Sequence, residues 1–214
     1  LGELIRLYRD DHQVDAALNV VPMRGWRREW LFDQCGLPWV MPSPNMPTLD
    51  TALVYPGLCL VEGTEVSEGR GTTRPFELVG APYVAPDTLA TALNDLALPG
   101  VAARPTWFLP QFQKHAGVQC GAVQLHVTDR HAFRPYLTGV ALIATVRRLY
   151  PDEFRWRTRA YEFVRDKPAF DLLTGNDTVR QLIEEGAPVE ALQESWRDEE
   201  ASYLTHRAPY LLYD

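Results

Sequence analysis

Residues that could do chemistry crowd into Glu62-Gly63-Thr64-Glu65-Val66-Ser67-Glu68-Gly69-Arg70-Gly71-Thr72-Thr73-Arg74-Pro75-Phe76. Glu62, Glu65 and Glu68 stand three apart in this glycine-rich stretch. Glycosidic bond hydrolysis needs two carboxylates: one protonates the leaving oxygen, and the other attacks or activates water. Spacing alone leaves another reading open, in which the acids are solvated or pair with Arg70 and Arg74.

Other chemistries fit less well. A phosphate-binding loop needs four residues between its glycines and then Lys. Here five residues separate Gly63 from Gly69, Arg70 follows, and three carboxylates would repel phosphate. A serine nucleophile elbow needs Gly on both sides at a distance of two. Ser67 has Glu65 before it and Gly69 after it. His126, Asp129 and His131 match no zinc spacing, so neither metal nor cofactor is expected. Cys35, Cys59 and Cys120 form no CxxC pair and read as free thiols. Trp26, Trp30, Trp39 and Tyr55 flank a proline-rich stretch and offer faces on which a sugar could stack.

These groups sit in an ordinary globular composition. The chain has 214 residues, 46% hydrophobic and 23% charged, with a net charge of −7. A chain of this mass buries about 70% of its unfolded surface, enough for a core without staples. No apolar run reaches the length of about 18 residues that a membrane span requires. Net acidity leaves no electrostatic footprint for nucleic acid. Two local basic clusters, Arg24/Arg27/Arg28 and Arg155/Arg157/Arg159, read as solvated faces whose stems lie along apolar surface. The chain begins Leu1-Gly2-Glu3 and reads as a fragment or processed piece. A targeting segment would lie upstream, so a secreted, periplasmic or cytoplasmic location stays open.

Leu1, Leu4, Ile5 and Tyr8 have helical spacing, and Leu18–Val21 reads as a short strand closed by Pro22. Residues 26–35 suggest a second short helix. Pro38, Pro42, Pro44 and Pro47 make 37–47 an extended loop. Thr48 is placed to cap a helix running toward Tyr55. Pro86 opens another that ends by Pro99-Gly100. Residues 101–109 and 118–128 read as strands, the second alternating Val123, Leu125 and Val127 with Gln124, His126 and Thr128. An apolar helix at 136–150 is expected to pack on one face of those strands. Helices follow from Asp177 to about Glu185 and from Pro188 through Tyr203. The order implies a mixed α+β chain.

Several motifs stand in register with those of a known family. They are Pro42-Ser43-Pro44-Asn45-Met46-Pro47, Tyr55-Pro56-Gly57, Glu62-Gly63-Thr64, Ser67-Glu68-Gly69-Arg70-Gly71-Thr72 and Gly80-Ala81-Pro82. Cys120 and Val123-Gln124-Leu125-His126-Val127-Thr128-Asp129 follow. Across almost its whole length the chain resembles the NamZ family, exo-acting β-N-acetylmuramidases that release N-acetylmuramic acid from peptidoglycan fragments. One departure is Glu65, where Asn or another polar residue is common.

The resemblance implies a bacterial protein in which residues 1–75 end a Rossmann-like domain and 76–214 form a smaller mixed-sheet domain with helices. Family members are about twice as long, so part of the cleft, with further acids, would come from a missing N-terminal half. Glu62 and Glu68 are the expected catalytic carboxylates, and Asn45, Thr64, Ser67, Arg70, Thr72, Arg74 and His126 the expected sugar contacts. Arg70, between two glycines, is placed to read the lactyl carboxylate of the sugar or to neutralise the loop acids. The competing reading is a non-catalytic saccharide-binding module built on the same loop.

Overall fold

A computed structural model describes residues 1–213, and their contacts divide them into two units. The first holds Leu1–Trp39 together with the segment from Trp196 onward, and the second holds Val40–Ser195.

The first unit contains α1 (Gly2–Asp11), and α8 (Arg197–Arg207) near its C-terminal end. No described residue of this unit is fully buried. Polar contacts hold it: Arg28 pairs with Glu3 at 2.6 Å, and His206 Nε2 meets Asp11 at 2.8 Å. Leu18–Val21 is not a strand and has no pairing partner among the described residues. The expected helix at 26–35 shrinks to a 3-10 turn at Phe32–Cys35, ended by Gly36 in the left-handed region.

The second unit carries the core. Its sheet has the order β1-β3-β2, from β1 (Leu78–Ala81), β2 (Val101–Phe108) and β3 (Cys120–Val127), all antiparallel. The two expected strands pair as neighbours, Val101 opposite Val127 and Phe108 opposite Cys120. As the central strand, β3 is covered on both faces from Cys120 to Val123. Its far end keeps a polar face, where Arg104 donates to Gln124 at 2.6 Å and to His126 at 3.4 Å.

α2 (Leu49–Leu58) starts at Thr48, whose hydroxyl accepts from the Thr51 amide at 3.2 Å. α3 (Pro86–Asn94) lies on β2 and β3. α4 (Pro135–Leu149) packs chiefly on α2 and α3, and its Thr138 and Leu142 face Ala103 and Leu125 of the sheet. It is buried almost all round rather than along one stripe. Its two buried hydroxyls, Thr138 and Thr145, donate to the carbonyls of Arg134 and Ala141 four residues back. Such back-bonding lets a polar side chain sit in a core helix. α2 and α4 cross at Gly57, where a Cβ would fall 1.7 Å from the Pro135 carbonyl oxygen.

α5 (Ala169–Thr174), α6 (Thr178–Glu185) and α7 (Val189–Glu194) close the unit. The helix expected from Pro188 through Tyr203 breaks after Glu194. Ser195 donates its hydroxyl back to the Leu192 carbonyl at 2.7 Å, and Trp196 leaves helical geometry. β1 and α5 were not expected from the sequence. No described helix is long and apolar enough to cross a membrane.

Candidate functional site

α2 runs into a 3-10 turn, Cys59–Gly63, that delivers Glu62 to the surface of the second unit. The loop that follows is stitched to its neighbours through its backbone. Ser67 exchanges two hydrogen bonds with Gly80 of β1, at 2.9 and 3.0 Å. On the other side the Glu65 amide donates to Arg155 and the Arg157 amide to Gly63, making Thr64 and Trp156 an antiparallel pair. The connection between β2 and β3 closes a third side, with the Gln111 amide donating to the Gly71 carbonyl at 2.9 Å.

These segments enclose a cavity of about 570 Å³ lined by Glu62, Glu65, Glu68, Arg70, Lys114, His115, Arg157, Arg159 and Tyr161, with Gln113 and Glu162. At its centre Arg70 bridges two glutamates. Its Nη2 donates to Glu62 at 2.5 Å, and its Nε lies 3.2 Å from Glu68. The guanidinium rests over the Phe76 ring, 5.1 Å from the centroid. Phe76 is a buried aromatic at φ +64, and its amide donates to the Glu68 carbonyl at 2.6 Å. Burial opposes the charge on Arg70, but the bond to Glu62 and the charges of Glu62 and Glu68 outweigh it and raise its pKa.

The second oxygen of Glu68 accepts from Lys114 Nζ at 2.8 Å. That ammonium also donates to the carbonyls of Val61 at 3.0 Å and Val66 at 2.9 Å, filling its three donor positions. Burial lowers the pKa of Lys114, and pairing with Glu68 offsets only part of the effect. The flanking Gln113 and His115 both have positive φ, +68 and +57, in a segment anchored by Lys114. His115 Nε2 meets the Glu65 carbonyl at 2.9 Å. The second oxygen of Glu62 accepts from the Tyr161 hydroxyl at 3.2 Å. Burial, followed by the charge of Glu62, raises the Tyr161 pKa. The cavity thus holds two carboxylates organised by one guanidinium, with an ammonium behind them and a phenol beside them. Such an array can bind hydroxyls, and it can move a proton if an ion pair opens.

The other expected site residues lie elsewhere or serve the loop itself. The Thr64 hydroxyl donates to the Val61 carbonyl and accepts from the Val66 amide. Ser67 Oγ accepts from the Gly69 amide, and the Thr72 hydroxyl donates to the Gly69 carbonyl at 2.6 Å. Arg74 and His126 share a second cavity of about 190 Å³ with Glu77. Glu77 is buried there, accepting from Thr51 at 2.7 Å, Thr48 at 3.2 Å and Arg74 at 3.2 Å. Asn45 lies in the proline-rich loop, where its amide donates to Ser43 Oγ at 3.2 Å. Tyr55 packs edge-on against Phe76. Trp26 stands edge-on to Tyr213 in the first unit.

Sequence reasoning misses Lys114, His115 and Tyr161; of the cluster read as solvated, Arg155 and Arg159 are exposed and Arg157 is half-buried. The available signals were a polar triplet, Gln113-Lys114-His115, and the alternation Arg155-Trp156-Arg157. The latter is the period of an extended segment with one apolar and one cationic face. Trp156 packs against Phe154 and Phe170.

Comparison with known proteins adds the lineage. The family described as exo-beta-N-acetylmuramidase NamZ, C-terminal, matches residues 53–213, and its N-terminal counterpart matches residues 1–50. A relative from Bacillus subtilis (strain 168), peptidoglycan beta-N-acetylmuramidase NamZ, is 44% identical over the whole chain. The chain spans 50% of that relative's length. A crystal structure of a DUF1343 family protein from Bacteroides fragilis NCTC 9343 superposes with a TM-score of 0.86 at 28% identity. It covers all of this chain and 56% of its own. A second DUF1343 structure from the same organism, at 24% identity and a TM-score of 0.72, shares the fold and is covered over 55% of its length.

Proposed function

The chain belongs to the NamZ family, and on that premise we propose that it is part of an exo-acting glycoside hydrolase that releases N-acetylmuramic acid from the non-reducing end of peptidoglycan fragments. The observation that carries this reading is the Glu62–Arg70–Glu68 bridge lining a polar cavity. Glycoside hydrolysis requires carboxylates on either side of the scissile bond. Glu62 is the catalytic candidate with an oxygen facing a proton donor, Tyr161. Glu68 is held at both oxygens by Arg70 and Lys114, which suits a binding and positioning role. Residues of an upstream half complete the cleft and supply further acids, so this chain alone does not turn over substrate.

The full capture of Glu68 also favours a second reading, in which the chain supplies only saccharide binding. A chromogenic β-N-acetylmuramide separates the two readings. The muramidase reading expects hydrolysis by the full-length protein and none by the 214-residue chain. Saccharide binding without hydrolysis by the full-length protein supports the second reading and overturns the first.

A further inference from the structure

The cavity brings four acids and four cationic side chains together, and the cations differ in what they have left to offer. Arg70 is committed to Glu62 and Glu68. Lys114 has its three donors filled. Arg159 lies on the exposed rim, paired with Glu65 at 3.3 Å. Arg157 is different. Its guanidinium lies over the Tyr161 ring at 5.3 Å, and its Nη2 donates to the Ala160 carbonyl at 3.2 Å. Its Nε–H is buried with no hydrogen-bond partner. No carboxylate of the protein forms an ion pair with it among the described residues. A buried N–H without an acceptor is uncommon in native structures and calls for an explanation.

We infer that Arg157 is the residue that receives a ligand carboxylate in this cavity. Backbone pairing of Thr64 with Trp156 fixes its position, and the packing of Trp156 on Phe154 and Phe170 sets which face it takes. The Tyr161 ring holds the guanidinium plane. A guanidinium edge offers two parallel N–H groups to a carboxylate, a geometry that an ammonium does not reproduce. A ligand carboxylate in the cavity would pair with this guanidinium, and a small turn of the side chain would bring its buried Nε–H to the same acceptor. This inference rests on the muramidase reading. N-acetylmuramic acid differs from N-acetylglucosamine by a lactyl ether ending in a carboxylate, and Arg157 distinguishes the two sugars by that group. Arg70, already shared between two glutamates, organises the acids instead.

The test measures binding of N-acetylmuramic acid, its lactyl methyl ester and N-acetylglucosamine to the full-length protein by calorimetry. The wild type is expected to prefer the acid over both neutral sugars by about tenfold or more. Arg157→Gln removes that preference while leaving affinity for the ester within about threefold, and Arg159→Gln retains the preference. Circular dichroism checks each fold. If Arg157→Gln does not fold, Arg157→Lys decides, with an expected loss of about threefold or more in the ratio. A preference that survives in the folded Arg157 variant overturns the inference. So does a wild type that cleaves the chromogenic muramide without discriminating among the three sugars, an outcome that leaves the muramidase reading standing. A wild type that neither cleaves the muramide nor binds any of the sugars overturns both.

Discussion

Replacing Lys114 with Met removes the ammonium from beneath the cavity. The Lys114 side chain is 8% exposed and that of Glu68 4%, so solvent does not replace the lost partner. Glu68 would keep only Arg70, at 3.2 Å, and the carbonyls of Val61 and Val66 would lose their donor. Breaking a buried pair from one side typically costs about 3–5 kcal/mol. At roughly 2–4 °C per kcal/mol for a chain of this size, the melting temperature should fall by about 6–20 °C. Urea denaturation followed by tryptophan fluorescence measures the change directly. Adding Glu68→Gln tests the cause, because the double variant then lacks the stranded charge. The two changes should be non-additive by about 1–3 kcal/mol. A Lys114→Met loss below about 1 kcal/mol, or strict additivity, would refute the view that Lys114 anchors the acid loop through Glu68.

Tyr83 has a buried hydroxyl without a partner, and burial raises its pKa from 10.0 to about 12. The folded state then keeps a proton that the unfolded state gives up. Stability should therefore hold below pH 10 and fall between pH 10 and 12, Tyr83 contributing roughly 2–3 kcal/mol of that fall at most. Tyr83→Phe should flatten the alkaline slope and leave stability at neutral pH unchanged or raised by up to about 1 kcal/mol; an unaltered slope counts against this assignment. Gly71 has φ +84, and a Cβ there would lie 2.7 Å from the Phe112 amide nitrogen and carbonyl oxygen. Gly71→Ala should cost at least about 1–2 kcal/mol and loosen the cavity wall, seen as faster amide exchange at Gln111. Wild-type exchange and stability in that variant would show that the wall does not depend on Gly71.

Local rules located much of this fold. Thr48 caps α2, Pro86 begins α3, and alternation at 123–127 marks a strand, because each signal acts within a few residues. β1 escaped because it has four residues, one a glycine, and exists through pairing with β3. The acid loop was legible as a cluster, and Glu62, Glu68 and Arg70 do meet in one cavity. Lys114 was not legible, since its acceptors lie 46–53 residues away in sequence. Thr64, Ser67 and Thr72 have the residue types of sugar ligands, but the turn they build uses their hydroxyls. Short polar side chains commonly bond to nearby backbone in this way. The direction of Arg157 depends on the pairing of Thr64 with Trp156, a contact across most of the unit's sequence.

Glu62→Gln in the full-length protein tests the central claim most directly. It keeps the size of the side chain and an oxygen for Tyr161, but removes the carboxylate that Arg70 and Tyr161 hold. With a chromogenic β-N-acetylmuramide, kcat/KM should fall by about tenfold or more, equivalent to about 1.4 kcal/mol of barrier. Circular dichroism and melting establish that the variant is folded. A folded Glu62→Gln protein with unchanged kcat/KM would contradict the account and reduce the Glu62–Arg70–Glu68 bridge to a structural tie.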